Sequence, residues 1–433
     1  MKRRGGPVPK IVALVIVAGL VAAGAFLLWP AAPPKPVVVG PTTPALVARG
    51  EYIATAADCI ACHTTEGGQP FAGGRAFKLP FGTLYSPNIT PDRETGIGTW
   101  SEPDFLRALH QGIGAGGEEL YPAFPYAAYA KMTDADALAV RAYLSTLKPV
   151  RAQNRANSLA FPFNQRPLMR VWKLFFLPKE PFKPEPDRTA DWNRGAYLVT
   201  ALAHCGECHT PRNLLYGLNN DEALAGETIQ GWTAWNITPD KEHGIGDWST
   251  EEIAAYLGHG YAPGRGAASG PMKEAVEYSL SRLTPQDLLA IAVYLKSLKP
   301  AEHGLTVEAN PTGLAASDFI IPAAAETGED VGKRVFEGAC SSCHAYNGQG
   351  QQSPATALRG LRSVNDPSGR NLIRVVLRGG SAAAPQGRAD MPAFAHGYSD
   401  AEIAAVSNYV IRHFSGRAGK VSAADVAAAR REE

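Results

Sequence analysis

Three short segments hold every cysteine in the chain: Cys59-Ile-Ala-Cys62-His63, Cys205-Gly-Glu-Cys208-His209 and Cys340-Ser-Ser-Cys343-His344. Two residues between the thiols let both sulfurs reach the vinyl groups along one edge of a porphyrin, while the next histidine turns its ring under the iron. This is the spacing of a covalent c-type haem attachment site. Structural zinc, a thioredoxin-like redox pair and ordinary disulfides draw on the same residue types. Zinc would want its four ligands gathered together, whereas Cys59, Cys205 and Cys340 stand 146 and 135 residues apart. Three copies with the histidine always next, no cysteine to spare and an export segment ahead of them point to three covalently bound haem c groups. In this reading His63, His209 and His344 are iron ligands.

A low-spin electron carrier needs a second axial ligand, usually methionine sulfur or histidine nitrogen, and methionine gives the higher potential. Of five methionines, Met1 and Met169 lie far from the expected sites, which leaves Met132, Met272 and Met391. Met391 opens Met391-Pro-Ala-Phe394, and Met272 follows Gly270-Pro271 twelve residues before a helix cap. Both are expected on loops that reach the open haem face; filling an irregular core is the competing role. Near the first motif, Tyr121-Pro-Ala-Phe124 puts tyrosine where Met391 would align, and Met132 lies eleven residues further on. Met132 as ligand, His110 as ligand, a vacant position and Met132 as packing all remain open there. His110 and His259 fall near the ends of amphipathic helices, where the helix dipole favours a structural role. His204, beside Cys205, reads as a surface or supporting residue.

The elements that must position these groups are legible as a repeat. Asn88-Ile-Thr-Pro-Asp92, Gly96-Ile-Gly98 and Trp100-Ser101 return as Asn236-Ile-Thr-Pro-Asp240, Gly244-Ile-Gly246 and Trp248-Ser249, 148 residues later. Self-similarity at a fixed period marks a duplicated structural unit. Arg49-Gly-Glu-Tyr52 and Arg194-Gly-Ala-Tyr197 open a helix ahead of their cysteines, and Gly332 takes the matching place in a third, more divergent unit. Thr133, Thr284 and Ser399 are N-cap candidates, each with an acid three residues on (Asp136, Asp287 and Glu402) and apolar residues at helical spacing beyond. Tyr143, Tyr294 and Tyr409 sit at the tenth position after each cap. Such a closing helix can pack on the opening one where glycine permits close approach. The expected fold is all-α: small helical domains, each wrapped around one haem, at 46–150, 190–300 and 325–415. A packed connecting segment at 151–189, a linker at 301–324 and a tail at 416–433 complete this part. The connecting segment carries Phe161-Pro-Phe-Asn164 and Phe175-Phe176, too apolar for a free linker, and is expected to pack along the first two domains.

The first thirty residues stand apart. Lys2, Arg3, Arg4 and Lys10 precede an uncharged apolar run from Ile11 to Trp29, whose nineteen residues span about 28 Å as a helix, enough to cross a bilayer core. The basic flank stays cytoplasmic, so the remainder lies on the periplasmic side of an inner membrane. A cleaved signal peptide, with Ala23 and Ala25 as a small-x-small site, is the alternative. Cleavage there would leave Phe26 to Trp29 as an exposed stub, which favours an uncleaved anchor over 1–30 and a Pro-rich spacer over 31–45.

A chain of 433 residues with 45% hydrophobic content is long enough for several cores. Lys plus Arg number 42 against 41 Asp plus Glu, so no charge excess exists to bind nucleic acid. The 44 glycines and 34 prolines suit loops wrapped around a bulky cofactor. No nucleophile with its base, phosphate-cradling loop or second cofactor motif is present, which argues against substrate chemistry in this chain. A peroxidase-type haem enzyme using an open iron in the first domain, and a free-standing electron carrier, are the competing functions.

From Arg49 to Phe414 the chain resembles the triple-haem cytochrome c subunits of membrane-bound bacterial dehydrogenases. Beyond the three CxxCH motifs, the resemblance rests on Phe81-Gly-Thr83, both Asn-Ile-Thr-Pro-Asp segments, Tyr121-Pro-Ala-Phe-Pro-Tyr126, Phe161-Pro-Phe-Asn-Gln-Arg166, Trp192-Asn-Arg-Gly195 and Cys208-His-Thr-Pro-Arg212. It implies three tandem class I cytochrome c-like domains plus an N-terminal transmembrane helix, and a non-catalytic electron-transfer subunit. The implied partner is a dehydrogenase catalytic subunit, whether a quinoprotein, a flavoprotein or a molybdenum hydroxylase. Ubiquinone or a terminal oxidase is the implied acceptor. The anchor, and Phe124 where some members carry methionine, tilt the reading toward the molybdenum hydroxylase group.

Overall fold

The computed structural model describes residues 8–37, 40–304, 328–351, 353–384 and 387–432. The basic residues Lys2, Arg3 and Arg4 and most of the 301–324 linker lie outside them. The apolar run forms one helix, Val8–Leu28. Between Ile11 and Leu28 its side chains are not buried against the rest of the chain. Ile11, Leu14 and Leu28 are all more than half exposed.

Beyond it the fold is mostly helical and divides into two compact units, Met1–Glu51 with His63–Phe182, and Tyr52–Cys62 with Lys183–Glu433. The boundary falls inside the first motif, so Cys59 and Cys62 are described with the second unit and His63 with the first.

The glycine-to-helix packing expected from the repeat occurs three times. A Cβ on Gly50 would lie 1.8 Å from the Ala139 carbonyl oxygen, on Gly195 1.9 Å from that of Ala290, and on Gly332 2.3 Å from that of Ala405. Real Cβ atoms do not approach backbone oxygen so closely, so only glycine lets the helix Pro44–Ala56 meet Asp134–Thr146, Ala190–Tyr197 meet Pro285–Lys296, and Gly328–Val335 meet Asp400–Ser415. Each closing helix starts at the expected cap: Thr133, Thr284 and Ser399 accept from the backbone N–H of Asp136, Asp287 and Glu402. Only Glu402 returns the bond to its cap backbone. Asp136 instead accepts from Arg49 Nε at 2.8 Å. Asp287 accepts from Arg194 Nε at 2.8 Å and from the Tyr52 hydroxyl at 2.6 Å. These acids tie the closing helix to the opening one.

The all-α expectation omits four short antiparallel sheets. Ala76–Leu79, Gly82–Tyr85 and Ser158–Leu159 form a three-stranded one in the first unit. The second unit holds three hairpins, Glu227–Ile229 with Trp232–Ala234, Tyr261–Ala262 with Gly266–Ala267, and Gly380–Ala384 with Gly387–Met391. Within that unit, residues 190–300 and 328–432 pack together. Asn371 Oδ1 accepts from Thr233 N at 2.8 Å and its Nδ2 donates to Thr233 O at 3.0 Å, as a neighbouring strand would. The tail adds a capped helix, Ala423–Arg431, whose Val426 and Ala429 are buried against the Asp400–Ser415 core.

The connecting segment packs on the first unit through Arg166, Arg170, Lys173 and Trp172 but leaves an apolar face open. Leu168–Phe176 is a helix, yet Phe161, Leu174 and Phe175 are 79%, 64% and 68% exposed.

Candidate haem-binding sites

Immediately before each first cysteine the opening helix is forced off its regular course. A π-helical turn, Leu198–Leu202, followed by left-handed His204 (φ 38°), precedes Cys205. A π-helical turn at Phe336–Cys340 ends on Cys340, and left-handed Asp58 (φ 51°) precedes Cys59. Such interruptions recur at functional sites because they redirect the side chains that follow. Each motif then winds into a short helical turn, Cys59–Cys62, Gly206–His209 and Ser341–His344, which puts thiols three apart in sequence on one side.

No disulfide joins any of the six cysteines, and among the described residues no cluster of three His, Cys, Asp or Glu could hold a metal ion. Burial pushes the thiols of Cys59 and Cys205 up to about 12 and those of Cys208 and Cys340 up to about 11.

The three histidines share one arrangement. The Nδ1 of His63 lies 2.8 Å from the Pro87 carbonyl oxygen, that of His209 2.6 Å from Trp235 O, and that of His344 2.6 Å from Thr356 O. A carbonyl only accepts, so Nδ1 carries the proton and the Nε2 lone pair is left over. Burial holds all three rings below the ordinary imidazole range, so they are neutral at pH 7. A neutral imidazole with Nδ1–H pinned to an acceptor is the form that ligates a metal through Nε2.

Pro87 and Trp235 immediately precede the two Asn-Ile-Thr-Pro-Asp segments, which gives that repeat a task sequence reading missed. Buried Asn236 donates to Ala301 O at 2.8 Å and His303 O at 3.1 Å, and accepts from the backbone N–H and hydroxyl of Thr238. Asn88 repeats this with Val150 O and Thr90. The asparagine clamps the strand that presents the carbonyl.

The methionines are placed differently from expectation. Met132 is 1% exposed and lies just before the Thr133 cap. Met272, expected on a loop, stands in the first turn of the helix Gly270–Tyr278 behind Pro271, and is half-buried. Met391, also expected on a loop, ends a strand whose partner residue is Gly380. Pro271 favours a helix start, and the hairpin carries Met391 in extended backbone. His110 ends the helix Glu102–Gln111 with Nδ1 3.5 Å from Asp134, and its buried Nε2 has no partner.

Arg362 and Arg141 have buried nitrogens without a hydrogen-bond partner among the described residues. Arg362 is 5% exposed and donates to Asn236 O at 3.1 Å and to Gly244 O. Its guanidinium lies over Trp248. No ion pair is found for it among the described residues and its Nε has no partner. Burial pulls it down to about 10. It lies close enough to His209 to help depress that ring, after burial and against the bond to Trp235. In the first unit Arg141 donates to Trp100 O at 2.9 Å while Nε and Nη1 are buried without partners. An unpaired buried cation is costly. A haem would bring two propionate carboxylates that such cations could meet, so the residues present fit it.

The cytochrome c family model matches residues 47–148 and 330–412. The chain is 38% identical to the gluconate 2-dehydrogenase cytochrome c subunit of Pantoea cypripedii, over 90% of each chain. It belongs to the cytochrome c subunits of dehydrogenases. It is 39% identical to the fructose dehydrogenase cytochrome subunit of Gluconobacter japonicus, over 87% of this cytochrome and 81% of that one. A nicotinate dehydrogenase subunit of Pseudomonas putida is 41% identical over 89% of this cytochrome, which spans only 32% of that relative's length.

Proposed function

We propose that this cytochrome carries three covalent haem c groups and relays electrons from a dehydrogenase catalytic subunit to ubiquinone or a terminal oxidase. The observation that carries it is the threefold repetition of CxxCH with a half-buried histidine whose Nδ1 is tied to a carbonyl. Haem c supplies one-electron exchange at its porphyrin edge. Cys59 with Cys62, Cys205 with Cys208, and Cys340 with Cys343 form the thioethers; His63, His209 and His344 offer Nε2 to iron. Met132, Met272 and Met391 would supply sulfur to the irons, and Arg362 would offer its Nε to a propionate. The three domains are those at 46–150, 190–300 and 325–415. Each histidine-carbonyl pair fixes the ring and raises its basicity, and the surrounding burial excludes water and keeps reorganisation small. In this reading oxidation of the organic substrate falls to the partner's cofactor.

The helix Val8–Leu28, 21 residues and about 32 Å long at the usual rise, anchors the haem domains to the inner membrane from the periplasmic side. The chain's relatives include subunits of nicotinate, fructose, gluconate and quinone alcohol dehydrogenases. From the N-terminal apolar helix and Phe124 we read the partner as a molybdenum hydroxylase slightly ahead of a quinoprotein or flavoprotein one. The test is affinity recovery of a tagged chain from gently solubilised membranes. A co-purifying dehydrogenase whose substrate reduces the haems is the expected result. Recovery of the cytochrome alone, or substrate-dependent reduction of the isolated chain, refutes the assignment.

A further inference from the structure

The helix Leu168–Phe176 is turned inside out for a helix in water. Its cations point inward: Lys173 Nζ lies 2.5 Å from Glu119 Oε2 and 2.7 Å from Gly112 O, and Arg170 Nε lies 2.8 Å from Glu119 Oε1. The Glu119 side chain is only 6% exposed. Leu168, Val171, Leu174 and Phe175, at helical spacing, face outward, and Leu174 and Phe175 are about two-thirds exposed. Phe161 and Phe163 from the preceding turn extend the same apolar character; Phe163 stacks on Phe81 at 4.4 Å between centroids. Soluble proteins rarely leave such a contiguous patch to water.

What covers it is indicated by its neighbour. Arg170 Nη1 donates to Phe26 O at 3.0 Å and also to Trp29 O. These carbonyls are the unsatisfied C-terminal end of the long apolar helix, where that helix leaves the hydrocarbon, and Trp29 is a side chain that settles at a membrane interface. The Leu168–Phe176 helix is therefore bolted to the anchor at interface depth. An amphipathic helix held there with its apolar face free lies in the headgroup and acyl boundary.

We infer that Leu168–Phe176, with Phe161 and Phe163, is a second membrane contact that sinks into the outer leaflet beside the anchor. This rests on reading Val8–Leu28 as a membrane span. The contact holds the first unit at a fixed tilt on the bilayer, with two attachment points where one helix would leave it free to swing.

The experiment uses the full-length holo-cytochrome in phosphatidylcholine–phosphatidylglycerol vesicles containing a phospholipid with a photoactivatable diazirine in its acyl chain. Irradiation followed by peptide mapping should place lipid adducts both on Val8–Leu28 and on the 161–176 peptide. In a Leu174→Glu, Phe175→Glu variant the second set should be lost while the first persists. Adducts confined to Val8–Leu28 in the unmodified chain overturn the inference and leave the span intact; adducts on neither overturn both. Protection of 161–176 from lipid by a cross-linked dehydrogenase subunit, in complexes irradiated within native membranes, would also overturn it.

Discussion

In residues 190–300, His209 donates to a carbonyl at Trp235, just beyond the strand Trp232–Ala234 and next to the Asn236–Thr238 clamp, whereas in 328–415 His344 donates to Thr356, in a short helical turn. There the Thr356 hydroxyl holds the turn itself, donating to Cys343 O at 2.9 Å and Ser353 O at 2.7 Å. The two regions have different sequences around one geometry, an imidazole Nδ1 within 2.6 Å of a backbone oxygen. What is common to them is an acceptor at Nδ1, not a motif. They share a second device, the glycine crossing of Gly195 with Ala290 and of Gly332 with Ala405. Only the first region borrows a buried cation from the other, since Arg362 lies in the second and donates to Asn236 O in the first.

The comparison is broken most severely at the crossing. Gly195→Val places branched carbon atoms where even a Cβ would sit 1.9 Å from Ala290 O, so the helices must separate at a cost of more than about 3 kcal/mol. Gly338, with open space around its Cβ position, is the control. Denaturant unfolding of the holo-protein should show a large fall in midpoint for Gly195→Val and a small change for Gly338→Ala. Equal effects would show that the crossing is not what the glycine serves.

Asn236→Ala sharpens the difference between the two regions. It removes a buried side chain that donates twice and accepts twice, a loss of roughly 2–4 kcal/mol, and it loosens the carbonyl at Trp235. A weaker bond at Nδ1 makes the imidazole a poorer donor to iron, so the second haem's potential should rise while the third haem's stays in place. Redox titration followed optically reads both. A shift in the third haem instead would contradict the assignment of Asn236 to His209.

Arg362→Gln tests the borrowed cation. Removing positive charge beside a haem favours its oxidised state, so the potential of the second haem should fall, with little change at the third even though the residue belongs to that region. An unchanged potential would mean that Arg362 serves packing against Trp248 alone.

The smallest expected effect concerns Asp287. Burial acts to raise its pKa, but bonds from Arg194 and Tyr52 outweigh this and hold the carboxyl below its usual range. A depressed folded-state pKa contributes stability above the unfolded value, and that contribution is lost as pH falls through the folded one. Unfolding midpoints measured from neutral pH down through the carboxylate range should therefore decline less steeply for Asp287→Asn than for the parent chain.

Much of this was legible because it is local. CxxCH, the caps at Thr133, Thr284 and Ser399, and glycine in the opening helices each announce themselves within a few residues, and the repeat located them. The carbonyl partners Pro87, Trp235 and Thr356 were not legible, since backbone oxygen has no sequence signature; for the first two, the preserved asparagine just after them was the available clue. Met272 and Met391 were expected on loops because proline and glycine surround them, yet Pro271 starts a helix and the chain near Met391 pairs as a hairpin. The apolar pattern of 161–176 showed that a face exists without showing whether protein covers it. Arg362 reaches Asn236 across 126 positions of sequence, beyond any periodicity.

The central claim is the number and chemistry of the haems. Intact-mass measurement of the exported chain after denaturation and acid extraction should show three retained haem masses, with Cys59→Ala/Cys62→Ala, Cys205→Ala/Cys208→Ala and Cys340→Ala/Cys343→Ala each removing one. Bound zinc, haem that washes out, or a count other than three in the unmodified chain would contradict it.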